Sequence, residues 1–244
     1  NELSYIALEA SMKVHTIQPT LVVRYHPNID PKFIDKAIDC IRTGLGFPAF
    51  LSDSQAYQMF LRRGVPEKEI WDWVCPSCIS RSMPNANMRQ GNVSMGYFSY
   101  AKALDLALND GYDTFTGRQL GAHTGDPTKF KSIEDVKEAY LKQIRFLMDK
   151  LIQIHMIGEE VRCRYAKKPL ASPYMEGCIE RAMSTTDFAA YGTYNSPELQ
   201  TIGAINVADS LTVLKKLVFT EKKSTMGEMI EAMHSSWQGK EVLR

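Results

Sequence analysis

From Val136 to Ile157 an apolar residue returns to one face every third or fourth position: Val136, Tyr140, Ile144, Leu147, Leu151, Ile154 and Ile157. That spacing predicts one long helix over residues 132–164, with Ser132 and Asp135 arranged like a capping box at its start. A helix of this length needs extensive partners, and the rest of the chain supplies candidates. Residues 3–15 and 52–63 carry helical spacing, and Asp30-Pro31 and Pro66-Glu67 read as helix starts. Residues 97–107, 207–219 and 225–237 also read as helices. Thr20-Leu21-Val22-Val23-Arg24-Tyr25 reads as a buried strand and 47–51 as a second short one. Helices alternating with a few short buried strands indicate an α/β fold. No repeat, low-complexity tract or linker divides the 244 residues, which are read as a single segment.

Charge excludes several classes of function. The 29 basic and 28 acidic residues nearly cancel, which gives no field for nucleic acid or membrane surfaces. No apolar run approaches the ~18 residues of a membrane span. Five scattered cysteines, an odd number, argue against a disulfide scaffold. The expected compartment is the cytoplasm.

Between residues 74 and 94 all periodicity stops, and Cys, Pro, Ser, Asn, Gly and Met take over. A loop of that length inside a compact domain is functional or disordered. It holds the one CxxC pair, Cys75-Pro76-Ser77-Cys78. A redox dithiol would open a helix after a strand, whereas this pair follows a helix. A structural zinc site would need a second pair, and Cys163 and Cys178 lie fifteen apart. Two half-buried loop thiols are the plainer reading, and a metal- or redox-binding module stays open.

The wider context carries more information. Gly46-Phe47-Pro48-Ala49-Phe50-Leu51-Ser52-Asp53, Arg63-Gly64-Val65, Asp72-Trp73, and Cys78 six residues after Asp72 occur in order. Gly177-Cys178-Ile179-Glu180-Arg181 and Ile205-Asn206-Val207-Ala208-Asp209-Ser210-Leu211 follow. This series resembles the pyruvate formate-lyase-like family of glycyl-radical enzymes over almost the whole chain. The resemblance implies a barrel of strands ringed by helices, of which this chain is a helix-rich fragment. It implies that Cys78, on a loop entering the barrel, passes a radical between a backbone glycine and the substrate. A thiol suits that relay because its S–H bond yields to a glycyl radical while its thiyl still attacks an activated carbon.

Family members that eliminate water, amines or carboxyl groups typically carry a glutamate two residues after the cysteine. Ser80 stands there in this sequence, and no carboxylate occurs between Asp72 and Asp105. The loop Gln119-Leu120-Gly121-Ala122-His123-Thr124-Gly125-Asp126 is similar to that of benzylsuccinate synthase and its alkane-using relatives. The resemblance therefore implies addition of a hydrocarbon radical to fumarate, with an n-alkane favoured over a methylated aromatic. A glycyl-radical decarboxylase or dehydratase with a displaced base is the alternative. Arg89, with Arg81 as its rival, is expected to clamp a fumarate carboxylate through its two-pronged fork. Tyr191 and Tyr194 are expected in the pocket wall. Met83, Met88 and Met95 read as pocket lining or core filler, and His123 as a hydrogen-bonding structural residue. Cys40, Cys163 and Cys178 read as buried small residues on helical stretches.

No Arg-Val-x-Gly string, the family's glycine signature, occurs. The expectation is an internal piece of a longer subunit, with the C-terminal glycyl-radical domain absent and no cofactor bound by this segment itself. A radical-SAM activating enzyme and small accessory subunits are the implied partners. The 244-residue chain alone is therefore expected to turn over nothing, even anaerobically with an activase. Any consumption of hydrocarbon with fumarate by this chain contradicts that expectation.

Overall fold

The computed structural model describes residues 2–75, 79–83, 94–175, 178–187 and 198–241. Two compact units result, Asn1–Val93 with Arg162–Pro197, and Ser94–Val161 with Glu198–Arg244.

In the first unit, helix α1 (Glu2–Val14) precedes strand β1 (Val22–Tyr25), helix α2 (Pro31–Cys40) and strand β2 (Ala49–Ser52). The two strands pair in parallel, Val22 opposite Ala49 through Tyr25 opposite Ser52, so α2 is the crossover that parallel pairing requires. Asp30 caps α2 by accepting Lys32 N–H at 3.0 Å, with Pro31 at the first turn. Ala37 and Cys40 of α2 pack with Leu8, Val23 and Leu45. The helix ends in a widened π turn, Ile41–Leu45, where Gly44 (φ 95°) and Gly46 (φ 71°) take left-handed conformations. Ser52 then caps helix α3 (Asp53–Arg62). A short helix α4 (Glu67–Ile70) follows, and Ala56, Phe60, Val65, Ile70 and Trp73 close a second core against Leu51.

The second unit repeats the strand-then-helix design twice. Strand β3 (Ser94–Ser99) runs into helix α5 (Tyr100–Ala107), and strand β6 (Glu198–Ile202) into helix α7 (Ala204–Leu214). β3 and β6 pair in parallel with one register shift near Gly96. Between β6 and α7, Gly203 (φ 81°) brings the backbone so close that a Cβ would lie 3.1 Å from that of Ala101. Leu104 and Leu108 of α5 and Val207 and Leu214 of α7 meet Val136 of helix α6 (Ile133–Tyr165) and Met226 and Met229 of helix α8 (Met226–His234).

Several boundaries differ from the sequence reading. Residues 97–99 are strand rather than helix, and Glu198–Ile202 form a strand to which the sequence reading assigned no element. The long helix has the expected extent, but its stripe is covered only near the start. Val136 is fully buried, whereas Ile154 and Ile157 are 67 % and 64 % exposed. Cys178 sits in a turn, not a helix.

The stretch 109–126, which includes most of the segment 114–131 that carries no helical spacing and reads as a loop, is a closed hydrogen-bonded device around a short hairpin, β4 (Tyr112–Asp113) with β5 (Arg118–Gln119). Gln143 of α6, fully buried, both accepts from Ala122 N–H (2.9 Å) and donates to its carbonyl (2.6 Å). Asp113, 2 % exposed, accepts from Lys102 Nζ at 2.8 Å and from both the hydroxyl and the N–H of Thr116. The ammonium and these donors pull its pKa down to about 2. The ordinary value is ~3.9. The stability Asp113 supplies is therefore complete above the ordinary value and is lost as pH falls towards 2. Asp113→Asn should flatten the acid limb of stability over that window, which urea unfolding at stepped pH would read. Wild-type and variant curves of identical slope there would contradict the assignment.

Candidate active site

Val74 and Ser82 stand four residues either side of Cys78 in sequence, and they exchange both backbone hydrogen bonds, at 2.7 and 2.9 Å. The segment carrying the cysteine thus has its two ends tied together. What anchors that tie to the core is Trp73, which is fully buried. Its indole N–H donates to Asp53 Oδ1 at 3.0 Å. The same oxygen accepts from Arg24 Nε at 2.9 Å. Arg24 spends its other nitrogens on the chain entering the segment: Nη1 donates to the Trp73 carbonyl at 2.9 Å and Nη2 to that of Trp71 at 3.2 Å. Its guanidinium carbon lies 4.3 Å from the Trp73 ring centroid, a cation–π contact.

Each member comes from a different element. Arg24 is on β1, Asp53 opens α3 where its negative charge faces the helix N-terminus, and Trp73 follows α4. Two of these positions are the final residues of the motifs read above, Pro48–Asp53 and Asp72-Trp73. Their roles are structural: they bond to one another. Sequence reasoning missed Arg24, although a lone charge in an otherwise apolar strand was a signal. Nearby, Tyr57 stacks on Trp71 at 5.0 Å and its hydroxyl donates to Glu67.

The other expected residues distribute as follows. Cys78, Arg89, Tyr191, Tyr194 and Met88 lie outside the described residues. Cys75 is half-buried, packs on the Trp73 core and carries no disulfide. Ser80 and Ser82 are buried, as is Met83, which fills the same core. Arg81 is half-buried, with its Nε sealed from solvent. His123 is exposed and bonds Asp110 through Nδ1 at 3.0 Å, a structural role. That contact, with the Thr124 and Gly125 N–H groups, holds the Asp110 carboxyl below its usual range. Cys163 donates its thiol to the Thr186 carbonyl, and burial pushes the Cys178 thiol pKa up. Cys40 is buried, as expected. Among the described residues no cluster of three or more potential ligands could hold a metal, and no helix is long and apolar enough to cross a membrane.

Removing the shared acceptor would strand two donors. Asp53→Ala should cost about 1–3 kcal/mol, the range for leaving a buried donor such as the Trp73 indole N–H unsatisfied. Asp53→Asn, which keeps an oxygen for Trp73, should cost less. Denaturant unfolding of the two variants would measure it, and a loss under ~0.5 kcal/mol in Asp53→Ala would show the contacts to be incidental.

Comparison with known proteins identifies the family and the fold. A family model described as "Pyruvate formate lyase-like" matches residues 1–244. Trans-4-hydroxy-L-proline dehydratase of Clostridioides difficile is 30% identical over the whole chain, which covers 30% of that protein. Isethionate sulfite-lyase of Nitratidesulfovibrio vulgaris is 32% identical, with 100% of this chain and 29% of that one covered. The glycerol-bound B12-independent glycerol dehydratase from Clostridium butyricum superposes with a TM-score of 0.77 at 27% identity, over 99% of this chain and 30% of that one. The chain thus spans less than a third of the length of these relatives. They are dehydratases and a sulfite-lyase, not the fumarate-adding synthases that the Gln119–Asp126 loop suggested. The α/β architecture is that of the glycyl-radical enzymes, which work through a radical held on a backbone glycine. The chain belongs to the pyruvate formate lyase-like family.

Proposed function

We propose that this chain is the cysteine-bearing segment of a glycyl-radical lyase that fragments a small substrate by radical elimination. The observation that carries the reading is the family match along all 244 residues, joined to relatives that remove water or sulfite. The glycyl radical supplies the one-electron oxidant for a thiol hydrogen, and a radical-SAM activating enzyme is the partner that would install it. Cys78, as thiyl, takes a hydrogen atom from a substrate carbon; the S–H bond forms and the C–H bond breaks. The neighbouring carbon then loses its leaving group and a proton is transferred. The product radical recovers the hydrogen from Cys78, so no external oxidant or reductant is consumed. Trp73, Asp53 and Arg24 fix the entry to the cysteine segment, which keeps the sulfur from wandering between the two transfers. Arg89, Tyr191 and Tyr194 belong to the proposal as substrate contacts.

One observation favours a second reading, radical addition to fumarate. Ser80 occupies the place of the glutamate that eliminating members carry, and no acid occurs between Asp72 and Asp105. Elimination then needs a proton carrier from elsewhere, whereas addition to fumarate needs none.

The test uses a full-length enzyme containing this segment, activated anaerobically. Products from hydroxylated or sulfonated substrates would support elimination; a substituted succinate from hydrocarbon plus fumarate would replace it with the second reading. In either case Cys78→Ala should abolish product and leave the glycyl radical's paramagnetic signal intact, while Cys75→Ala should retain most activity. Arg89→Lys, which keeps charge but loses the fork, should weaken use of an acidic substrate. Full activity in Cys78→Ala would overturn both readings.

A further inference from the structure

We propose that the cavity between α5, α7 and α8 binds a small ligand with an apolar body and one ammonium group, which meets the Asp209 carboxylate. The motif Ile205–Leu211 has no part in the hydrogen relay, yet its polar residues are regularly placed. Asn206, Asp209 and Ser210 stand three and four positions apart on α7 and so share one helix face. All three line the cavity. Val207 and Leu214, beside that face, are buried in the core of the unit. The helix therefore has one packed side and one side turned to open space.

The cavity measures about 450 Å³, within the ~300–1,000 Å³ of small-molecule sites. Every residue lining it belongs to the second unit. Leu104 and Leu108 of α5 and Met229 of α8 give it a buried apolar floor. Met233 and Trp237 form a softer wall: a thioether adapts to ligand shape, and an indole face attracts a cation. The lining carries charge of one sign only, from Asp105 and Asp209, with no basic residue. Asp105 is already engaged by Lys102 Nζ at 2.7 Å and Asn109 Nδ2 at 3.2 Å. Asp209 has no side-chain hydrogen bond or ion pair among the described residues. Its neighbours a turn away on α7, Ile205, Asn206, Thr212 and Val213, are uncharged. An apolar body releases water from the floor, and an ammonium supplies the partner that Asp209 lacks. Asn206 and Ser210 offer oxygens to the remaining N–H groups. An anion would bring like charge to the same place.

Calorimetry on a full-length, unactivated enzyme containing this segment tests the proposal, with octylamine, 1-octanol and octanoate as eight-carbon probes. Octylamine should bind about threefold or more tightly than 1-octanol, the scale of one partly exposed charge pair, and octanoate more weakly than either. Asp209→Asn should bring octylamine down to the level of 1-octanol and leave 1-octanol unchanged. Val213→Trp, which fills the cavity from α7, should weaken both by about tenfold or more, because the apolar body loses its floor. If Val213→Trp does not fold, Asp209→Asn decides alone. Absence of binding, the result if the rest of the subunit fills the cavity, overturns the proposal. So do equal affinities for amine and alcohol, a preference that survives Asp209→Asn, or octylamine binding that survives Val213→Trp. No radical is involved, so failure of the lyase reading leaves each of these outcomes as it stands.

Discussion

One carboxylate oxygen, Asp53 Oδ1, is where the first unit comes together. It receives the indole N–H of Trp73 and the Nε of Arg24, and so joins strand β1, the N-terminus of α3 and the residue that leads into the cysteine segment. The geometry makes the parts interdependent. The tryptophan cannot be buried without an acceptor for its N–H. The carboxylate, 13 % exposed, cannot be buried without cations or donors. The guanidinium is drawn across the indole face and onto two backbone carbonyls. Everything proposed for Cys78 depends on that fixed point, because a radical relay works only if its sulfur returns to the same place twice.

Much of the frame was legible in local pattern. The helices at residues 2–14, 31–40, 53–62, 133–165 and 226–234 show start signals or apolar spacing that read directly, as does the β-branched strand β1. β3 and β6 were not legible, for a physical reason. Each follows a stretch of Ser, Pro, Asn and Gly, and each is a strand because the other lies beside it, about a hundred residues away in sequence. The order within the turn at 109–126 was not legible because its regularity lies in side-chain hydrogen bonds, through Gln143, Asp110 and Asp113, rather than in periodicity.

The site was legible in part. Motif order and spacing gave the family, and that held over the whole chain. The motifs did not say which positions act on substrate and which hold the frame. Asp53 and Trp73 turn out to hold it, and for Arg24, whose partners lie 29 and 49 residues away, the lone charge in an apolar strand gave no indication of which residues it joins. The branch within the family was read from one loop. That loop proves to be a self-satisfied structural turn, where substrate chemistry leaves little mark; the named relatives point to elimination, whereas Ser80 stands where the family pattern read from the sequence has a glutamate.

The central claim is that the segment tied at Val74 and Ser82 presents Cys78, and not Cys75, to the radical glycine. An anaerobic crystal structure of the full-length enzyme tests it most directly. The account predicts Cys78 Sγ near the glycine Cα, approaching the ~3–3.5 Å of a reacting pair, with Cys75 behind it against the Trp73 core. Cys75 in that place instead, or the two sulfurs joined in a disulfide, would contradict it.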